Sequence, residues 1–277
     1  MADCARFWAV DLHTHTPASL DVKEDRYGVA SAEAFVEAAV AAGLDAVAVT
    51  DHNTTAWCDR VSEAAADQSL VVLPGVEVST SEGHLLALFD EGTPASRIDE
   101  VLVLAGIAAG DRGRLDIATE KGICEVAGLI ADAGGLAIAA HIDAPRGLLE
   151  LKIAAHVKRI LCDDRVAALE VVDLSVREGV QRKVNGDRVL AFIRSSDAIS
   201  PGESGHRLTG LGARRTWIKA ARPDLIGIAH ALRDPDLRVS LEAPPEPSHP
   251  VVRSVSIEGG FLGGVSLELS SDLNCLL

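Results

Sequence analysis

The chain has 277 residues, 48% of them hydrophobic, enough for one barrel-sized domain and a small appendage. A formal net charge of −15 argues against broad, sequence-independent binding to nucleic acid, which relies on surplus Lys and Arg; only local basic strips stay compatible with it. The five cysteines show no short paired spacing, no leader pattern opens the chain, and the longest apolar stretches, such as Val101 to Gly110, are too short to span a bilayer. A cytoplasmic protein with no membrane partner is expected.

Strand-like and helical runs alternate in the manner of βα units around a parallel sheet. The first strand, from Trp8, ends in His13-Thr14-His15. Residues i and i+2 of a strand share a face, so both imidazoles leave the strand end aimed at one point, a geometry that suits a metal ion. Two such histidines also make an ordinary polar strand end, and the weight comes from the acids and histidines further along the chain. Asp21 closes Thr16-Pro-Ala-Ser-Leu-Asp, and Ser31 caps a helix through Ala42, with Phe35, Ala39 and Ala42 on one face and Gly43 as its stop. The strand Ala46 to Val49 runs into Asp51 and His52. Strands Leu70 to Leu73 and Leu85 to Phe89 flank Glu77 and His84.

Residues 91 to 114, rich in Gly, Asp and Arg around a helix candidate at Val101 to Leu104, are expected to wander over the surface. A helix from about Ile117 to Ala133 then passes through Gly134-Gly135 into a strand that ends at His141. Val166 to Val172, Leu190 to Ile193 and Thr216 to Lys219 complete the strands, and Asp197 ends the run Ala191 to Ser196. Pro223, at the first helical position, opens a helix ending near Arg233. Nearly every predicted strand thus terminates in a metal-binding side chain. Imidazoles mixed with carboxylates select divalent Zn, Mn or Fe rather than the ions of an all-thiolate site.

The proline-rich segment 242–250 reads as a stiff linker, separating a domain over 1–241 from a β hairpin over 251–277, built of Val251 to Ile257 and Val265 to Leu269.

The order of these motifs, His-x-His, an acid, Thr50-Asp51-His52, Gly75-Val76-Glu77 with His84, strand-end His141 and Ser196-Asp197, resembles the PHP (polymerase and histidinol phosphatase) superfamily over residues 8 to 232. The resemblance implies an α/β fold, a distorted (β/α)7 TIM-like barrel, and a metal-dependent phosphoesterase acting on a phosphomonoester or on a nucleotide or nucleic-acid phosphodiester. Carried over position by position, it assigns His13, His15, Glu77 and Asp197 to one metal position, and Glu77, His84 and His141 to a second bridged by Glu77. Asp21 and His52 fall to a third. The last motif departs from the family's Ser-Asp-Ala-His, because Ile199 cannot donate to a metal. Two ions are therefore expected, with the third position short of a ligand. His206 could refill it, but reads as a surface loop histidine.

Transferring a phosphoryl group also requires positive charge near its oxygens. Arg146, Arg207, Arg214 and Arg215 fall on segments expected at the metal-bearing rim, and Arg214 is taken as the catalytic candidate, with His13, His15, Glu77 and Asp197. Each arginine singly is an ordinary surface residue. His156, His230 and His249 read as helix-surface or linker histidines, while Asp51 and Asp143 either orient a ligand or cap a turn.

The tail around Leu273-Asn-Cys-Leu resembles the opening strand of SMC and RecF-like ATPase heads, which would make a linked ATPase domain a partner; the plainer reading is a hairpin that caps the barrel. Two further functions are compatible with these residues: a degenerate PHP module that binds or regulates such an ATPase, or an amidohydrolase-like reaction on a C–N bond. Retention of every ligand of the bridged pair favours the phosphoesterase, since a site released from function would lose costly clustered polar groups.

Overall fold

The computed structural model describes residues 5–22, 27–184, 188–197, 206–244 and 252–269. Among the described residues, nine strands form one sheet. In chain order they are β1 (Arg6–Asp11), β2 (Ala46–Val49), β3 (Val71–Thr80), β4 (Gly83–Leu88), β5 (Leu136–Ala139), β6 (Val166–Glu170), β7 (Phe192–Ile193), β8 (Thr216–Ala220) and β9 (Val239–Ser240), laid out as β7-β6-β5-β4-β3-β2-β1-β8-β9. The sheet curls into a nearly closed barrel of the expected α/β type. It is mixed rather than wholly parallel. β4 runs antiparallel to both β3 and β5, because a tight hairpin at 81–82 takes the place of a helical crossover, and β8 returns antiparallel along β1.

The alternation of side chains along the strands separates interior from exterior. Val10, Leu12, Ala46, Ala48, Leu73, Leu86, Leu88, Ile138, Ala140, Ala168 and Ile193 fill the barrel. Their neighbours Val47, Val49 and Val72 face α1 (Ala32–Ala41) and α2 (Cys58–Ala64), while Val76, Val78, Leu85 and Ala87 face α3 (Ala95–Ala105) and α4 (Ile123–Asp132). So many alanines inside suit a narrow interior with little room for branched side chains.

The barrel closes between β7 and β1/β8 through side chains in place of a strand ladder. Thr216 accepts from Arg194 N–H and donates to Arg194 O, both at 2.9 Å. Buried Asp11 accepts from Ser196 N–H at 3.1 Å, Ser196 Oγ at 2.6 Å and Gly212 N–H at 2.8 Å. Burial outweighs those bonds and lifts the Asp11 carboxyl to about 6.

Helix boundaries follow their caps. α1 begins after Ser31, whose hydroxyl accepts from Ala34 N–H, as the sequence predicts. α3 replaces the expected surface meander, since Ile98, Val101, Leu102 and Ala105 make one buried stripe and Gly106, at φ 91°, ends it. α4 starts at Ile123 rather than near Ile117, because Thr119 N–H is taken by Ser79 O and Glu125 caps Gly122 N–H. After β8, α7 (Leu225–Arg233) is capped by Asp224 rather than opened by Pro223. Between them lie α5 (Ala154–Leu161) and α6 (Arg177–Gln181). Leu225, Ile228, Ala231 and Leu232 join the barrel-interior cluster, so α7 plugs the end where β1 begins.

Beyond the barrel, β10 (Ser254–Ser256) pairs antiparallel with β11 (Ser266–Glu268), a hairpin shorter than the predicted one. Most of the linker 242–250 and the tail 270–277 lie outside the described residues. Among the described residues no helix is long and apolar enough to cross a membrane.

Candidate metal centre

All the predicted ligands meet at the barrel end opposite α7. His13 and His15 follow β1, His52 follows β2, His141 follows β5 and Asp197 follows β7. Glu77 lies within β3 on the inward set that includes Leu73, and His84 opposes Ser79 at the start of antiparallel β4, which begins at this same rim. Asp21 reaches in from the segment after β1.

Glu77 is fully buried at the centre. Its Oε1 lies 2.8 Å from His84 Nδ1 and 3.1 Å from His141 Nε2. Its Oε2 lies 2.5 Å from His52 Nδ1 and 3.5 Å from both His13 Nε2 and His15 Nε2. Those two imidazole nitrogens are 3.1 Å apart, and Asp197 flanks them, its Oδ1 3.3 Å from His15 and its Oδ2 3.7 Å from His13. His52 Nε2 faces Asp21 Oδ2 at 3.6 Å.

His206 corrects the sequence reading. It is no surface histidine: its side chain is 18% exposed, its Nε2 lies 2.7 Å from Asp197 Oδ1, and its ring packs against His15. Ile199 lies outside the described residues.

Two further groups orient the cluster, and sequence reasoning passed over both. Glu170, the buried last residue of β6, accepts from His13 Nδ1–H at 2.7 Å and from His141 N–H at 2.9 Å. Its signal was an acid at a strand end, hidden because the predicted strand ran on to Val172. Ser19 donates to Asp51 Oδ1 at 2.7 Å, so its oxygen accepts from His15 Nδ1–H and from His52 N–H, each at 3.0 Å. Asp51, which also accepts from Thr16 N–H and Oγ, therefore orients ligands rather than capping a turn. Asp143 instead anchors the Val172 and Asp173 amides.

These bonds place a proton on Nδ1 of both His13 and His15 and turn their Nε2 atoms toward each other across 3.1 Å. Without an ion the pair can share only a single proton, held on His13 by Glu170, Asp197 and Glu77, whereas a cation between the two nitrogens would satisfy both. The surrounding donor separations of 3.1 to 3.7 Å bracket the ~3.3 Å edge of a tetrahedron whose bonds are ~2.0–2.1 Å. Glu77 Oε2, His52 Nδ1, His141 Nδ1 and Asp21 Oδ1 are, moreover, buried without a hydrogen-bond partner. His52 Nδ1 lies close to Glu77 Oε2, but the contact lacks hydrogen-bond alignment, so closeness here is not satisfaction. Sets of three donors that could hold an ion recur across the cluster: His13, His15 and Asp197; His13, Glu77 and His141; His52, Glu77 and His84; His15, His52 and His206.

The electrostatics agree. Burial pushes the Glu77 and Asp197 carboxyls up, yet the surrounding histidines hold both well below the usual carboxylate range. Burial opposes protonation of His52, but Glu77 and Asp21 override it and lift the ring to about 10. His15 is held well below its ordinary value by burial and by the charges of His52 and His206. Neighbouring imidazoles are thus driven in opposite directions, a tension that a bound divalent ion removes.

The rim arginines divide. Arg215 does not reach the site as expected: it donates to Gly212 O and Ala42 O, both at 2.8 Å, and so binds β8 to the end of α1. Arg207 is exposed. Arg214 is half-buried, with Nη1 3.4 Å from Val172 O. Arg146, at φ 62°, donates to Leu115 O and lines two clefts beside the cluster, one containing His84 and the other Asp21.

Residues 11–168 match the PHP domain family, more than half of the chain, and the chain belongs to that family. The 5'-3' exoribonuclease of Haemophilus influenzae is 37% identical over 89 residues, which make up 30% of this chain and 30% of that protein. The 5'-3' exoribonuclease Rnm of Salmonella typhimurium is 36% identical over 94 residues, 31% of this chain and 30% of the relative. The match thus spans 30% of the length of each of these curated relatives. The lesion-specific endonuclease PfuEndoQ from Pyrococcus furiosus shares the fold, with a TM-score of 0.60 at 17% identity over 83% of this chain and 56% of that one.

Proposed function

We propose that this chain is a metal-dependent hydrolase of nucleic-acid phosphodiesters, with RNA the favoured substrate, acting through divalent Zn, Mn or Fe held around Glu77. The observation that carries the reading is the convergence of buried, unsatisfied imidazole and carboxylate donors on that one glutamate. The local likeness to two exoribonucleases supports a nucleic-acid diester in preference to a small phosphomonoester.

In this reading His13, His15, Glu77 and Asp197 hold one ion, and Glu77, His84 and His141 hold a second, with Glu77 shared between them. Bound divalent ions supply Lewis-acid polarisation of a phosphoryl oxygen and activate water at neutral pH. The protein's own contribution is preorganisation. Glu170 and the Ser19–Asp51 pair fix the orientation of His13 and His15, so both Nε2 atoms are aimed at one point before anything binds. Glu77 stays ionised although fully buried, since its histidine neighbours outweigh the cost of burial. The barrel wall buries the cluster, and the two clefts beside Arg146 reach it at His84 and at Asp21. Arg146 is better placed than Arg214 to meet a phosphate oxygen there, because those clefts adjoin both His84 and Asp21. A chain of net charge −15 would grip its substrate through such local contacts rather than through its overall field.

Single-stranded RNA and DNA, labelled at the 5' or the 3' end, test the reading beside an aryl phosphate monoester, each with Mn, Zn or Fe. RNA should be shortened fastest, and the order in which label is released gives polarity. Cleavage of the monoester alone, with both nucleic acids left intact, would overturn the substrate assignment.

A further inference from the structure

We infer that His206 supplies a ligand to a third cation position, formed with Asp21 and His52, and so replaces the donor that the sequence lacks at Ile199. The inference rests on the reading above, that the histidine and carboxylate cluster holds divalent ions.

His206 lies nine positions beyond Asp197, outside the spacing that the last motif prescribes. Its ring nevertheless sits in the cluster, with its centroid 4.5 Å from that of His15 and 6.3 Å from that of His52. Asp197 Oδ1 accepts from His206 Nε2–H at 2.7 Å, which turns the Nδ1 edge of the ring toward Asp21. His206 Nδ1 lies 3.7 Å from Asp21 Oδ2, and the same oxygen is 3.6 Å from His52 Nε2. Asp21 Oδ1 is buried with no hydrogen-bond partner. One ring nitrogen from each of His15, His52 and His206 lies within 4.8 Å of the other two. A divalent cation among Asp21, His52 and His206 would take the place of the protons that the carboxylates otherwise hold on these rings. Two imidazoles and one carboxylate select a borderline divalent ion. Asp197, through its contact with both His206 and His15, ties this position to the one formed with His13.

The test is titration of the metal-stripped full chain with Co(II), followed by visible absorption and by metal analysis after gel filtration. The parent should take up three equivalents. His206→Ala should keep two and weaken the third by at least ~10-fold, and His206→Asp, which restores a donor, should recover it. A parent that stops at two equivalents, or a His206→Ala variant that binds the third as tightly as the parent, overturns the inference. Two tight equivalents indifferent to residue 206 would sink His206 alone. A parent that binds no ion would sink the metal reading itself.

Discussion

The two ends of the barrel are built on opposite principles. At the end where β1 begins, α7 presents Leu225, Ile228, Ala231 and Leu232 to an interior of small apolar side chains, and shape alone makes the fit. At the other end Glu77, His13, His15 and His52 are equally buried, yet donor atoms are left without partners, and His141, Asn53 and Arg146 hold positive φ angles. The first end gains stability from burial. The second forgoes it, keeping buried lone pairs and strained backbone that only a bound ion rewards.

The comparison is broken most severely at the apolar end. Ile228→Ala opens a cavity under the plug and should lower unfolding free energy by ~2–5 kcal/mol in denaturant titrations. The protein that remains folded should keep its metal content and turnover. A loss of metal with no loss of stability would mean that the two ends are not separable.

Removing the ions exposes the cost at the polar end. In metal-free protein, burial opposes charging of His52, but Glu77 and Asp21 lift it to about 10 from an ordinary 6.5. A raised folded value gives stability that is complete below about 6.5 and lost as pH climbs through about 10. Thermal melts with chelator should therefore fall across that window. Ion-loaded protein, with its ligands already deprotonated, should not follow them. Metal-free protein whose melting temperature rose over the same range would contradict this account.

Smaller effects separate orientation from ligation. Glu170→Gln leaves every donor in place but loosens the His13 tautomer, and should weaken ion binding ~10–100-fold in competition with a chelator. Unaltered affinity would reduce Glu170 to a structural contact. Ser31→Ala, outside the ligand cluster, removes the α1 cap and should cost ~1 kcal/mol with turnover unchanged.

Much of this contrast was legible in the sequence, because strands carry their register in plain alternation. Residues 46–49 and 85–89 read directly as strands, and each led to its ligand. Antiparallel β4 and β8 were not legible, since an apolar run states its period but not its direction. The helix over Ala95–Ala105 was obscured by the polar residues around it, though its buried stripe has ordinary helical spacing. In the site, the ligand candidates announced themselves by residue type and place. Glu170 and Ser19 did not, because a group that positions another is defined by a contact across 157 residues for Glu170 and His13, and by a shared hydroxyl for Ser19. His206 was misread for a related reason: a ligand arriving from a loop carries no strand-end signature.

The central claim is that Glu77 is shared between two ions that carry the reaction. Metal content and RNA hydrolysis, measured on the same preparations of parent and Glu77→Gln protein, test it most directly. The account predicts at least two ions in the parent. It also predicts loss of at least one ion in the variant, with a ~10³-fold fall in rate, equivalent to ~4 kcal/mol of lost stabilisation. A variant that keeps the parent's metal and the parent's rate would contradict it.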